Sequence, residues 1–292
     1  MKLFDLHCDT LYEMYKRDCS FENNTLNISL EKAQCFEKYV QVLAIWSQND
    51  ISERERFEQF LAVYDIYKER IPVGFPHVLA VEGGGALAGD INNIELFYSM
   101  GVRFLTLVWG GECSLGGAHD TNIGLTDFGS KVLQKCFDFG IIPDVSHASD
   151  KMFWQVWEES KKRGMPFVAT HSNSRSVFYH SRNISDEMFV SLRDSGGVVG
   201  VSLEPTHTSD KQEPDENDVC RHILHYLELG GENSVCLGCD FDGVTRNIKA
   251  VPDISHLYKI ANTLAKEGVC DDWIENIFYN NANNFIIRNI KL

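Results

Sequence analysis

The chain has 292 residues, of which 43% are hydrophobic and 24% charged, with 22 glycines and only 7 prolines. That composition excludes a disordered, collagenous or low-complexity chain, and a chain of this length hides about 75% of its unfolded surface without needing disulfides or a structural metal. The net charge of −15, with no basic run, excludes a nucleic-acid backbone and an anionic membrane surface as partners.

In chain order, short runs of β-branched and apolar residues alternate with longer helix-like stretches, and no linker or composition break interrupts them. Strands are predicted at residues 3–7, 39–46, 78–82, 102–109, 141–145, 167–171, 198–203 and 235–240. They read as nearly continuous hydrophobic runs, as parallel strands buried on both faces do. Helices are predicted at 53–69, 127–139, 150–162, 185–194 and 215–229, several opened by Ser or Asp at the N-cap, with two more near 255–267 and 271–287. Eight strand-helix units across residues 1–292 predict a single (β/α)8 TIM barrel of the α/β class. A doubly wound open sheet uses fewer strands and often a Gly-rich first turn, which is missing here. No apolar stretch reaches the ~18 residues of a membrane span, and the first residues lack the core of a signal peptide, so a cytoplasmic location is expected. The nine scattered cysteines suit reduced thiols packed as small hydrophobes. Cys236 and Cys239 form the one C-x-x-C, but three residues apart on a strand they point to opposite faces, which speaks against a zinc or redox role.

A barrel of this kind gathers its chemistry at the C-terminal ends of the strands. The polar residues that break the apolar runs there are His7, Asp9, Glu82, His147, His171 and Asp240. Each alone reads more simply as a hydrogen-bonded cap on a strand end. Together they carry weight, because His7 and Asp9 are two apart on one strand and the other four share the same rim. Imidazoles and carboxylates in this number suit Zn²⁺ or another borderline divalent metal, and a bridging carboxylate suits two ions about 3.5–4 Å apart that share a hydroxide. A hydrolase is implied.

The segments Asp5-Leu6-His7-Cys8-Asp9-Thr10, Val81-Glu82-Gly83-Gly84, Gly101-Val102-Arg103-Phe104-Leu105-Thr106-Leu107, Asp144-Val145-Ser146-His147, Thr170-His171-Ser172-Asn173-Ser174, Ser181-Arg182-Asn183 and Gly238-Cys239-Asp240-Phe241-Asp242-Gly243-Val244 carry a further reading. In order, and over nearly the whole chain, they resemble the renal (membrane) dipeptidase family, binuclear zinc peptidases of the amidohydrolase superfamily. The resemblance implies two divalent metal ions, zinc foremost. His7 and Asp9 would be ligands of the first, Glu82 the bridging carboxylate, and His147 and His171 ligands of the second. Asp240 resembles the proton shuttle beside a metal-bridged hydroxide. Arg182 resembles the group that grips the free carboxylate of a dipeptide, where a planar fork is suited. The implied activity is hydrolysis of free dipeptides, with tolerance of a C-terminal D-residue as in relatives, and the implied assembly is the homodimer that relatives commonly form.

The chain departs from the animal pattern at Trp109, where those members place a His toward the substrate carbonyl; a rim-packing role and a substrate contact are equally open for it. The loop 110–124 is glycine-rich and reads as a flexible cover, with His119 as a solvated loop residue. Glu204 and His207 follow the seventh strand without a motif to place them. His222 and His225, three apart on an outer helix, read as helix surface. No hydrophobic tail is seen after Asn289-Ile290-Lys291-Leu292, so the lipid anchor of the family's name is not expected. Two competing functions are kept: hydrolysis of another small amide, lactam or cyclic amide on the same centre, and a metal-bearing binding protein without turnover.

Overall fold

The computed structural model describes residues 1–290. Seven strands run parallel: β1 (Lys2–Asp5), β2 (Lys38–Trp46), β3 (His77–Glu82), β4 (Val102–Thr106), β5 (Ile142–Asp144), β6 (Val199–Val201) and β7 (Val235–Leu237). They hydrogen-bond in the order β5-β4-β3-β2-β1-β7-β6. The two edges, β5 and β6, are joined by the segment expected to form the sixth of eight strands: Asp144 bridges Val168 and Ala169 bridges Val199, both in parallel. The sheet therefore curls round on itself as a barrel whose remaining stave is a pair of bridged residues. Pro143 explains the irregularity. Its carbonyl accepts from the Val168 N–H at 3.0 Å, but it has no N–H to return to the same neighbour. The strand predicted at 102–109 also ends early, at Thr106, because the chain turns there into the loop above the rim.

Alternation along the strands sorts side chains to the two faces of the wall. Phe4, Val42, Ala44, Val78, Ala80, Phe104, Ile142, Val168 and Cys236 pack together inside the barrel, while Leu3, Leu43, Ile45, Leu79 and Cys239 pack outward against the helices. Cys236 and Cys239 thus point apart as their spacing predicts, and all nine cysteines are free thiols. Phe285, Ile286 and Ile290 join the inner cluster, with Phe285 tilted against Phe104 at 6.4 Å between ring centroids. They enter from the end opposite the strand C-termini, since Lys2 at the start of β1 pairs with Glu275 of the same C-terminal region at 2.7 Å.

The outer helices begin where their caps dictate. Ser52 forms a capping box with Glu55 for Glu53–Arg70, and Thr126, Ser149 and Ser185 each accept an N–H from the first turn of the helix that follows. Four helices of the described residues lie outside the sequence expectation: Thr10–Arg17 and Asn93–Ser99, and the single turns Leu30–Ala33 and Pro205–Thr208. The stretch expected as one helix over 271–287 is split by a π turn at Asn276–Asn280, after which Asn281 donates to the Val235 carbonyl at 2.8 Å. Among the described residues, no helix is long and apolar enough to cross a membrane.

Candidate metal centre

Because the seven strands of the barrel wall are parallel, residues just past their C-terminal ends meet at one rim. Glu82 is the last residue of β3. His7 and Asp9 lie beyond β1 rather than within it: pairing continues through a parallel bridge from Cys8 to Phe241, and Asp9 sits at the N-cap of Thr10–Arg17. Their proximity survives because the Asp9 N–H donates to the Phe241 carbonyl at 3.0 Å and the Asp240 N–H to the His7 carbonyl at 3.1 Å. His147, Asp240 and Asp242 all adopt left-handed backbone, with φ of 70°, 62° and 67°. Non-glycine residues there carry strain of about 1–3 kcal/mol each, and such outliers collect at functional sites.

The two oxygens of Glu82 divide the donors into two groups. Oε1 lies 3.0 Å from His147 Nε2 and 3.3 Å from His171 Nε2, which are themselves 3.0 Å apart. Oε2 lies 3.5 Å from His7 Nε2, and that nitrogen is 3.6 Å from Asp9 Oδ2 and 3.8 Å from Asp240 Oδ1. His7 and Glu82 are each 1% exposed, yet both ring nitrogens of His7, Oδ1 of Asp9 and Oε2 of Glu82 have no hydrogen-bond partner. Orphaned buried acceptors are costly unless something positive sits among them. Within this cluster, His7, Glu82 and His171, and again His7, Asp9 and Asp240, bring ligand atoms within 4.8 Å of one another.

The electrostatics run the same way. Burial, and then the charge of Asp9, push Glu82 up to about 7, against the pull of His7 and Arg182. Burial likewise holds Asp240 well above the carboxylate range, with His7 opposing and Asp9 and Glu82 adding to the rise. For His7 burial acts downward, but the carboxylates of Glu82 and Asp9 outweigh it and hold the imidazole well above its ordinary value. Burial keeps His147 and His171 well below theirs, helped at His147 by Arg182 and at His171 by His7. Three carboxylates forced together beside two imidazoles kept neutral form a donor set that fits divalent cations.

Above this floor opens a cavity of about 340 Å³, at the small end of ligand pockets. Its lining includes Asp9, Glu82, His147 and Asp240, together with Trp109, His119, Glu204 and His207. Trp109, 37% exposed, packs its ring edge-on to Trp46 at 5.3 Å, as a rim residue does, and borders the cavity 5.9 Å from the His147 ring. His119 is not a solvated loop residue. It is half-buried on the cavity wall, its N–H donates to the His147 carbonyl at 2.7 Å, and its Nδ1 lies 2.9 Å from Ser181 Oγ. The loop carrying it is packed rather than loose. It contains the short hairpin of Glu112–Cys113 with Gly116–Gly117, and a Cβ on Gly116 or Gly124 would meet neighbours at 2.4 Å or 2.1 Å. Gly116, Gly117 and Gly124 answer to close approach, which composition cannot distinguish from flexibility.

Arg182 is 3% exposed and is not on the cavity lining. Its Nη1 donates to Ser172 Oγ at 2.9 Å and its Nη2 to the His171 carbonyl at 2.8 Å, while Nε has no partner. Glu204 and His207, which no motif could place, do border the cavity. Glu204 clips two loops together by accepting the Thr206 N–H at 3.1 Å and the Thr245 N–H at 2.8 Å. His222 also corrects its expectation. It lies on the outer helix Glu216–Glu228 but is fully buried, its Nδ1 accepting the Ser174 N–H at 3.1 Å and its Nε2 donating to the Thr208 carbonyl at 2.9 Å. His225 is the surface member of the pair, 2.8 Å from Asp186.

A parallel barrel that gathers carboxylates and imidazoles at its C-terminal rim offers a donor set suited to metal-dependent hydrolysis. The family model for membrane dipeptidase (peptidase family M19) matches residues 71–288, well over half of the chain. The chain belongs to that family, and is a metallo-dipeptidase that uses divalent metal. It is 32% identical over 241 residues to a Klebsiella pneumoniae protein described as uncharacterized in the pqqA 5' region, covering 78% of this chain and 87% of that one. Several solved structures share its fold, two of them as follows. One, described as a family M19 dipeptidase, has a TM-score of 0.91 at 23% identity and covers 99% of this chain and 98% of its own. The other, a Rhodobacter sphaeroides metallopeptidase liganded with a phosphinate mimic of the dipeptide L-Ala-D-Ala, has a TM-score of 0.87 at 22% identity and covers 99% of both chains.

Proposed function

We propose that the protein hydrolyses free dipeptides, those with a C-terminal D-residue included, at a centre holding two divalent cations, with zinc as the metal. The observation that carries this reading is the split of Glu82. One oxygen faces His147 and His171, the other faces His7, with Asp9 beyond it. His7, Asp9 and Glu82 would hold one cation, and Glu82, His147 and His171 the other. When bound, two such cations make a water acidic near neutrality and polarise the peptide carbonyl.

The protein's own groups then divide the remaining work. Asp240, in reach of His7 at 3.8 Å and on the cavity wall, would take the water's proton and return it to the departing amine, acting as base and acid in turn. Arg182 would orient the dipeptide through its terminal carboxylate: its guanidinium is desolvated, rigidly held by Ser172 and the His171 carbonyl, and has an unpartnered Nε. Trp109 would contact the substrate from the cavity wall. A cytoplasmic setting is supported by nine free thiols, which suit a reducing compartment.

The test is hydrolysis of L,L-dipeptides, L,D-dipeptides and their C-amidated forms by zinc-loaded protein. Rapid cleavage of the free peptides but not the amides is expected, and Arg182→Ala should raise KM for the free peptides. Equal cleavage of amidated peptides would remove the carboxylate clamp. No cleavage by fully metallated protein would overturn the reading of the site. Asp240→Asn should keep its metal and lose about a hundredfold in turnover; unchanged turnover would remove Asp240 from the chemistry.

A further inference from the structure

The end of β5 and the bridged segment beside it carry a hydrogen-bond chain that reaches the metal centre from below. Asp144 is the last residue of β5 and almost fully buried. Its carboxylate accepts four hydrogen bonds: Oδ1 from the N–H groups of Ser146 at 2.9 Å and Thr170 at 3.0 Å, and Oδ2 from the hydroxyls of Thr106 and Thr170, each at 2.6 Å. It thereby ties the tops of β4, β5 and the bridged segment together.

Donor counting then fixes a tautomer. The Thr170 hydroxyl donates its single proton to Asp144 Oδ2. Thr170 Oγ1 also lies 2.8 Å from His171 Nδ1. With its proton already donated, that oxygen accepts, so His171 carries its proton on Nδ1. The Nε2 lone pair is left facing Glu82 Oε1 at 3.3 Å. We propose that Asp144 and Thr170 are positioning residues for the reaction: through the chain Asp144, Thr170, His171 they hold His171 in the one tautomer and orientation able to ligate a cation at Nε2. This rests on the reading of His171 as a metal ligand.

The backbone supports the chain. A Cβ on Gly200 would stand 2.0 Å from the Thr170 carbonyl oxygen, and one on Gly238 would stand 1.7 Å from it. The neighbouring strands therefore press Thr170 into place, and the His171 N–H is held by Ser146 Oγ at 3.1 Å. Outer partners that orient a ligating imidazole typically contribute about 10–100-fold in metal affinity.

The experiment compares Thr170→Val, Thr170→Ser, Asp144→Asn and His171→Ala with wild type. The readouts are Zn²⁺ affinity by competition with a chromophoric chelator, and the His171 tautomer by two-bond ¹H–¹⁵N NMR of metal-free protein at pH 7.5. Wild type should show Nδ1–H, T170V should lose tenfold or more in affinity for one of two Zn²⁺ ions, and T170S should restore it. In D144N the amide donates where the carboxylate accepted, so the Thr170 hydroxyl turns to His171 and the proton moves to Nε2. If D144N does not fold, the valine and serine pair decides. An Nε2–H tautomer in wild type, or T170V binding both ions as wild type does while H171A is weakened, would overturn the relay alone. H171A binding both ions like wild type would overturn the ligand assignment and the relay with it.

Discussion

Gly243→Ala is the sharpest perturbation the site offers. A Cβ at this position would lie 2.1 Å from Asp9 Oδ2 and 2.6 Å from Asp240 Oδ1, whereas real Cβ contacts essentially never fall below 3.0 Å. Relief therefore requires roughly 1 Å of movement by the Asp9 oxygen, and less by Asp240, in a region packed like a crystal. Gly243 does not adopt left-handed backbone, so the alanine meets no conformational barrier, and lowering the entropy of the unfolded chain favours the variant by about 0.4–1 kcal/mol. The effect should thus fall on the site and spare the fold. A 1 Å misplacement of reacting groups costs on the order of 100-fold, equivalent to about 2.7 kcal/mol of barrier. Metal content would be measured after dialysis against buffered zinc, kcat/KM on a free dipeptide, and thermal unfolding in chelator. The expected result is a loss of bound metal and at least a hundredfold loss of kcat/KM, with the midpoint in chelator close to wild type. Wild-type metal content and activity in G243A would refute the placement of Asp9 and Asp240 around the centre.

His222 predicts a pH effect away from the metal. Burial lowers its pKa to about 4, from an ordinary 6.5. The folded state then binds fewer protons than the unfolded one, so this group's stability is fully present above pH 6.5 and is lost as pH falls toward 4, by roughly 3 kcal/mol in all. His222→Gln, which can still accept from Ser174 and donate to Thr208, should be the less stable protein in urea at pH 7.5 and should close the gap by pH 4.5; a gap independent of pH would reject the linkage. At the other end of the barrel, Phe285→Ala removes the ring that packs on Phe104 in the inner cluster and should cost about 3–5 kcal/mol in urea unfolding. A loss under 1 kcal/mol would mean that Phe285 does not plug the barrel.

The strand-helix alternation, the helix caps and the rim positions of His7, Glu82, His147, His171 and Asp240 could be read in the chain because each follows from local chemistry. An apolar run ending in a His or an acid is visible without knowing its neighbours. The misreadings share one cause, which is that contact partners lie far off in sequence. Pro143 disturbs a ladder whose other side is at 168, and Gly124 of the 110–124 loop is required by packing against Gln155. His222 looks like helix surface until Ser174 and Thr208 are seen on either side of it.

Order along the chain and residue type were therefore sufficient to specify an acidic, cysteine-reduced α/β barrel and the donor types at its rim. The tertiary structure alone decided how Glu82 divides its oxygens between two imidazole groups, that Arg182 is buried and absent from the cavity lining, and that His119 and His207 border it. It also decided that a carboxylate on β5 governs an imidazole 27 residues further on. Patterning records which face a residue takes, which is a local property of the backbone. Distances of 3 Å between atoms on different staves are set only when the sheet closes and the loops pack above it.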